Sequence, residues 1–327
     1  MQSGPQFVIV SGALGSGKTS LIESLLNSSE DASDTAVIVN EAGEINIDGA
    51  VLSESASGMS MATLSNGCVC CSMTSDLVTS IQDLMHFRRV AGKSLFSRII
   101  LECSGLSRPG PIVSSLQELA DLRLKLHLVS TYDCSRPPLQ GADFEDAVAQ
   151  LAAAHTIVLT KIDQVAVERR EEALETVRSL NPLARVVNEF SASARAREAF
   201  ASPGNIDVPA VGTDSKSSER RRLLHPRVRV FRARYDADVQ WEDALDWLEN
   251  IAGALGERLL RIKAVVPGGN ADDRLLLQSV GTTFSAPRRL KEKTVVPLGA
   301  IVIARDCGSD DLASIPTMHS VSWQSHL

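Results

Sequence analysis

Residues 12–19 read GALGSGKT, directly after the apolar run FVIV (7–10) and directly before Leu21, Ile22, Leu25 and Leu26 at helical spacing. The stretch fits G-x-x-x-x-G-K-[ST] in the strand–loop–helix context that gives this pattern its meaning. Gly12, Gly15 and Gly17 let the backbone curl so that successive N–H groups face one point. The following helix adds its dipole, and together they make a phosphate cradle. Ser16 and Ser20 belong to the same turn. Lys18 is expected to reach the β and γ oxygens of a nucleoside triphosphate, and Thr19 to place its hydroxyl on Mg²⁺.

The surrounding pattern agrees with such a loop. FVIV, AVIV (36–39), RIIL (98–101), LKLHLV (124–129), TIVL (156–159) and ARVV (184–187) are short apolar runs separated by helical segments at 21–26, 77–85 and 166–180. Alternation of this kind predicts a mostly parallel sheet flanked by helices, an α/β P-loop NTPase layer. A polar, basic stretch at 212–226 suits an exposed linker. Beyond it RVRVFRAR (227–234), a helix carrying Trp241, Leu245, Leu248, Ile251 and Leu255, and the runs LLRIKAVV, RLLLQSV and GAIVIA predict a smaller, mostly antiparallel α+β domain. The expected organisation is therefore a nucleotide domain at 1–211, a linker at 212–226 and a C-terminal domain at 227–327.

Charge and composition narrow the partners. With 40 acidic against 33 basic side chains the formal charge is -7, and the aromatics are 8 Phe, 3 Trp and 2 Tyr. The acidic balance and the few aromatics argue against nucleic acid as a partner, and the run Arg220–Arg222 is read as part of the solvated linker. The first Lys or Arg is Lys18, and the opening apolar run covers only residues 7–10, so neither a signal peptide nor a membrane anchor is expected. A cytoplasmic protein without a membrane partner follows.

Two further segments address the nucleotide. In LTKID (159–163) the carboxylate of Asp163 suits guanine, whose N1–H and exocyclic amine are both donors, while adenine would leave it unpaired. Thr160 precedes it, and the stem of Lys161 can lie on the purine face. GTP is the expected ligand and ATP the alternative. RIILECSG (98–105) ends a strand in Glu102, positioned to orient the Mg²⁺ shell or the attacking water. The N–H of Gly105, three residues on, is expected to contact the γ-phosphate.

NGCVCC (66–71) puts three of the six cysteines within four positions. In a reducing compartment a disulfide framework is disfavoured, which leaves a metal site, a redox pair of Cys70 and Cys71, or plain packing. Cys103, Cys134 and Cys307 stand apart and are expected in the core.

Taken together, SGALGSGKTS, NEAGEINIDG (40–49), NGCVCC, ECSGLSRPGP (102–111), TKID and LLRIKAVV resemble the CobW-type P-loop GTPases, related to the urease and hydrogenase maturation GTPases, over almost the whole chain. The resemblance implies a GTPase acting as a metal chaperone, with residues 40–49 as the first switch and a C-terminal domain of the CobW kind. It makes Cys68, Cys70 and Cys71 the metal ligands. Three thiolates suit Zn²⁺ or Co²⁺ and leave a fourth position open, as a carrier that must release its cargo requires. Glu44, with Glu41 behind it, is the expected fourth ligand, and Asp48 is counted with Lys18 and Glu102 as catalytic. The implied partners are guanine nucleotide, a divalent metal and an unidentified client metalloprotein. A metal-buffering or sensing module that binds nucleotide with little turnover is the alternative.

The chain departs from the family in three respects. It has no His-rich stretch, its six histidines being scattered as surface or packed residues. The strand ending in VSTYDC (129–134) closes at Asp133 in an unusual context, and FSAS (190–193) matches a second guanine motif poorly. No glutamine or arginine that would position the water is recognisable, so slow hydrolysis is expected.

Overall fold

The computed structural model describes residues 4–28, 34–40, 53–54, 60–64, 72–136, 144–202, 227–235, 239–269, 273–290 and 297–325. The chain divides into two compact units, Met1–Leu174 with Ala184–Gly204, and Glu175–Leu183 with Asn205–Leu327. The linker expected at 212–226 lies outside the described residues.

In the first unit the chain runs through β1 (Gln6–Gly12), α1 (Lys18–Ser28), β2 (Thr35–Asn40), β3 (Ser53–Glu54), β4 (Ser60–Leu64), α2 (Ser72–Val90), β5 (Arg98–Glu102) and α3 (Pro109–Ser115). It continues with β6 (Lys125–Asp133), α4 (Phe144–Ala153), β7 (Thr156–Thr160), α5 (Val167–Leu180), whose residues from Glu175 on count with the second unit, β8 (Arg185–Val187) and α6 (Ala192–Phe200). The eight strands order as β3-β4-β2-β5-β1-β6-β7-β8. All neighbours are parallel except the short β3, which pairs antiparallel with β4 at one edge.

Parallel strands buried on both faces need unbroken β-branched and aliphatic runs, and FVIV, RIIL and TIVL supply them. On one face Leu21, Ile22 and Leu25 of α1 and Ala196, Ala199 and Phe200 of α6 pack over Val8, Val10, Val37, Ile100, Val129, Val158 and Val187. The connection through α1 moves from β1 toward β2, whereas those through α2, α3 and α4 run the opposite way across the sheet. Right-handed crossovers then place α1 and these helices on opposite faces. These strands are parallel, so the loops after β1, β5, β6 and β7 emerge together at the carboxyl edge, and the sense of winding reverses at β1, which opens the crevice where ligands bind in open α/β sheets.

The second unit is a separate antiparallel sheet of β9 (Val228–Tyr235), β10 (Leu259–Pro267), β11 (Arg274–Val280), β12 (Thr283–Phe284), β13 (Arg288–Arg289), β14 (Gly299–Arg305) and β15 (Val321–Ser325). Its order is β12-β11-β10-β14-β9-β15, with β13 beside β11. The helix α7 (Trp241–Leu255) buries Ala244, Trp247, Leu248, Ile251 and Leu255 against Phe231, Ala233, Ile262, Ala264 and Val302. Trp247 lies between Tyr235 and Trp323, with ring centroids 5.1 and 5.4 Å away. The turn of α8 (Ser309–Ala313) adds Leu312 to the same core.

Several elements lack the periodicity that announced the others. SMATL of β4 and VSWQS of β15 are only five residues long, too short to show it decisively, and take strand form because β2 and β9 offer them open edges. Two prolines disguise α3, although Pro109 at its first position suits a helix start. Among the described residues no helix is long and apolar enough to cross a membrane.

Candidate functional site

The loop from β1 to α1 is shaped by its glycines. Gly12, Gly15 and Gly17 have φ of 139°, 71° and 89°, in the left-handed region that side chains resist. A Cβ on Gly12 would also meet Thr131 Oγ1 at 2.1 Å. Neighbouring strand ends brace the loop from below. Ser16 Oγ and Thr131 Oγ1 are 2.6 Å apart, and Thr160 Oγ1 lies 2.8 Å from the carbonyl oxygen of Ser16.

Lys18 is buried and donates to the carbonyl oxygens of Gly12 and Ala13 at 3.0 and 3.2 Å. Burial pulls its ammonium below the usual lysine range, Glu102 opposing and Arg136 adding to the effect. Thr19 Oγ1 donates to Glu102 Oε1 at 2.5 Å. A hydroxyl and a carboxylate converging in this way, beside a lysine and a row of backbone N–H groups, suit Mg²⁺ with a phosphate chain.

The loop after β5 leans onto the phosphate loop. A Cβ on Gly105 would stand 2.6 Å from Leu14 N, so only glycine permits this approach. From α4 the buried Gln150 holds the loop in place, its Nε2 donating to the carbonyl oxygens of Gly105 and Ser107 at 2.9 Å each. Cys103 is fully enclosed beneath, and burial pushes its thiol up to about 12, so it stays protonated.

On the other side Asp133 closes β6. Burial works against its charge, yet hydrogen bonds from Lys161 and Ser135 outweigh that and hold its carboxyl below the usual range. Lys161 Nζ sits 2.7 Å from Asp133 Oδ2, while Ser135 N and Oγ donate to Oδ1 at 2.9 and 2.6 Å. Lys161 takes a left-handed φ of 53° at the start of the TKID turn, and Asp163 is exposed beyond it.

This strand–loop–helix geometry agrees with a model of the CobW/HypB/UreG nucleotide-binding domain, which matches residues 6–188. The chain belongs to the CobW/HypB/UreG family. Its relatives include the zinc chaperone YjiA of Escherichia coli (strain K12), 26% identical across 85% of this chain and 86% of that one. The zinc chaperone CobW of Pseudomonas aeruginosa is 30% identical across 84% of this chain and 80% of its own length. A crystal structure of Zn(II)-bound YjiA GTPase from E. coli covers 97% of this chain and 100% of that one, with TM-score 0.70 and 21% identity. At that identity the likeness bears on fold alone.

Within this CobW/HypB/UreG domain the structure brings Lys18, Thr19, Glu102 and Gly105 to one edge, with Asp133 and Lys161 alongside. Thr160, expected at the nucleotide, turns its hydroxyl inward as a brace. Glu44, Asp48, Cys68, Cys70 and Cys71 lie outside the described residues. Cys103, Cys134 and Cys307 are buried, as expected. Sequence reasoning missed Thr131, Gln150 and Arg136. Thr131 lies within VSTYDC but carried no role there, Gln150 and Arg136 sit in no motif, and only the sheet order carries the three to the loop.

Proposed function

We propose that this chain is a GTP-binding and GTP-hydrolysing metallochaperone that carries Zn²⁺ on Cys68, Cys70 and Cys71 and hands it to a client protein under nucleotide control. The observation that carries the reading is the meeting of Lys18, Thr19 and Glu102 at the curled loop of a CobW/HypB/UreG domain. The chain is a GTPase, and relatives with zinc chaperone in their names support the cargo.

Each residue has a role that follows from its position. The backbone of Gly12, Gly15, Ser16 and Gly17 cradles the phosphates, and Lys18 exchanges its loop carbonyls for β and γ oxygens. Thr19 and Glu102 would hold Mg²⁺, which when bound would supply charge neutralisation for the phosphate chain. Ser20 extends the turn, and the N–H of Gly105 takes the γ-phosphate. Asp163 selects guanine, while Lys161, its ammonium anchored by Asp133, lays its stem along the base. Asp48 assists in the first switch.

Glu44, in that switch, completes a four-coordinate Zn²⁺ or Co²⁺ site. A γ-phosphate that orders the switch shifts this carboxylate and so changes the hold on the metal. Residues 1–211 form the nucleotide domain, 212–226 the linker and 227–327 the client-recognising domain, in a cytoplasmic protein without nucleic-acid or membrane partners.

The test is competition titration of Zn²⁺ and Co²⁺ in GDP and in a non-hydrolysable GTP analogue, on wild type, Cys70→Ser and Glu44→Ala. Tight binding that needs Cys70 and differs between nucleotides is expected. Affinity indifferent to nucleotide would leave a passive metal site beside an independent GTPase.

A further inference from the structure

Arg136 follows the Asp133 turn and reaches over the phosphate loop. Its Nη2 donates to the carbonyl oxygen of Leu14 at 2.5 Å, and the same nitrogen lies 3.1 Å from where a Cβ of Gly15 would stand. Its Nε is 3.3 Å from Asp133 Oδ2, the oxygen that also holds Lys161. The side chain is half exposed, with Asp133 as its anchor. A chain of contacts thus runs from the TKID turn through Asp133 to the third residue of the phosphate loop.

No arginine or glutamine of the motifs meets the charge that develops in hydrolysis. As the water oxygen bonds to the γ-phosphorus, the bond to the β–γ bridging oxygen breaks, GDP leaves with that electron pair, phosphate keeps the hydroxyl, and the water's other proton passes to a phosphate oxygen. The excess charge falls beside residues 14 and 15, where a guanidinium fork stabilises it best. Arg136 already sits at that rim, close enough to Lys18 to weaken the lysine's hold on its proton.

Resting on the GTPase reading, we propose that Arg136 is a catalytic arginine supplied in cis, which leaves the Leu14 carbonyl for the γ-phosphate side of bound GTP. The experiment measures single-turnover GTP hydrolysis, GDP affinity and binding of GDP with aluminium fluoride for wild type, Arg136→Ala and Arg136→Lys. Hydrolysis in Arg136→Ala is expected to fall roughly 10²- to 10³-fold, and binding of the fluoride complex to be lost, while GDP affinity stays within about threefold. Arg136→Lys, with its charge but no fork, restores only a minor part. Unchanged hydrolysis in an active wild type overturns the proposal and leaves the GTPase standing. Equal loss of GDP and fluoride-complex binding makes Arg136 a structural brace and also overturns it. A wild type that neither binds nor hydrolyses GTP fells the GTPase reading itself.

Discussion

The hydroxyl of Thr19 donates to Oε1 of Glu102 at 2.5 Å, joining the start of α1 to the end of β5. The two residues are 83 positions apart and meet because β5 lies beside β1, with Val10 opposite Glu102. A hydroxyl and a carboxylate on separate elements, held this close, are the pair that the proposed function assigns to Mg²⁺.

Glu102→Gln keeps an acceptor for Thr19 and removes the charge. GTP turnover is expected to drop roughly 10²-fold, with GDP affinity changed only a few-fold. Stopped-flow turnover beside a GDP titration checks this; undiminished turnover would take Glu102 out of the reaction.

Gly105→Ala forces a Cβ to within 2.6 Å of Leu14 N, a backbone atom with no room to yield. The loop held by Gln150 must lift from the phosphate loop. Hydrolysis is expected to fall roughly 10²-fold, as about 1 Å of misplacement costs, with little change in melting temperature. Equal hydrolysis rates would mean that the close approach does not serve the chemistry.

His127 is buried among Gln6, Thr156 and strand β6, and burial, reinforced by Arg185 and Arg98, lowers its pKa to about 3. The folded chain keeps it neutral while the unfolded chain protonates it below about pH 6.5. Stability is therefore full above that pH and declines as pH falls toward 3, by about 1.4 kcal/mol per unit. In His127→Gln this decline should flatten by that amount between pH 6.5 and 5 in denaturant titrations. Identical pH slopes would refute the assignment.

Trp247 is 1% exposed at the centre of the second unit. Trp247→Ala removes its contacts with Tyr235 and Trp323 and should cost about 3–5 kcal/mol. The chain's tryptophans, Trp241, Trp247 and Trp323, all lie in that unit, so fluorescence-monitored unfolding reads it selectively. A loss below about 1 kcal/mol would mean that the core closes over the gap.

Much of the architecture was legible in the linear order of residues. FVIV, AVIV, RIIL and TIVL announced parallel strands because burial on both faces favours unbroken apolar runs, and RVRVFRAR announced a sheet with one face packed. The helix over Trp241–Leu255 was visible in its 3.6-residue spacing. By contrast, β4 and β15 are only five residues long, too short for a pattern to announce them; their form depends on partners the local sequence does not name.

By itself the sequence determined the phosphate loop, because the left-handed φ of Gly12, Gly15 and Gly17 and the reach of Lys18 are local properties of eight consecutive residues. Only the tertiary structure decided that Glu102 faces Thr19, that Gln150 fastens the Gly105 loop, and that Asp133 is shared by Lys161 and Arg136. Those pairings follow from the strand order, which brings the ends of β5, β1, β6 and β7 side by side. Strand order is set by burying both faces of the sheet at once, a cooperative balance over the whole domain that no single stretch of residues encodes.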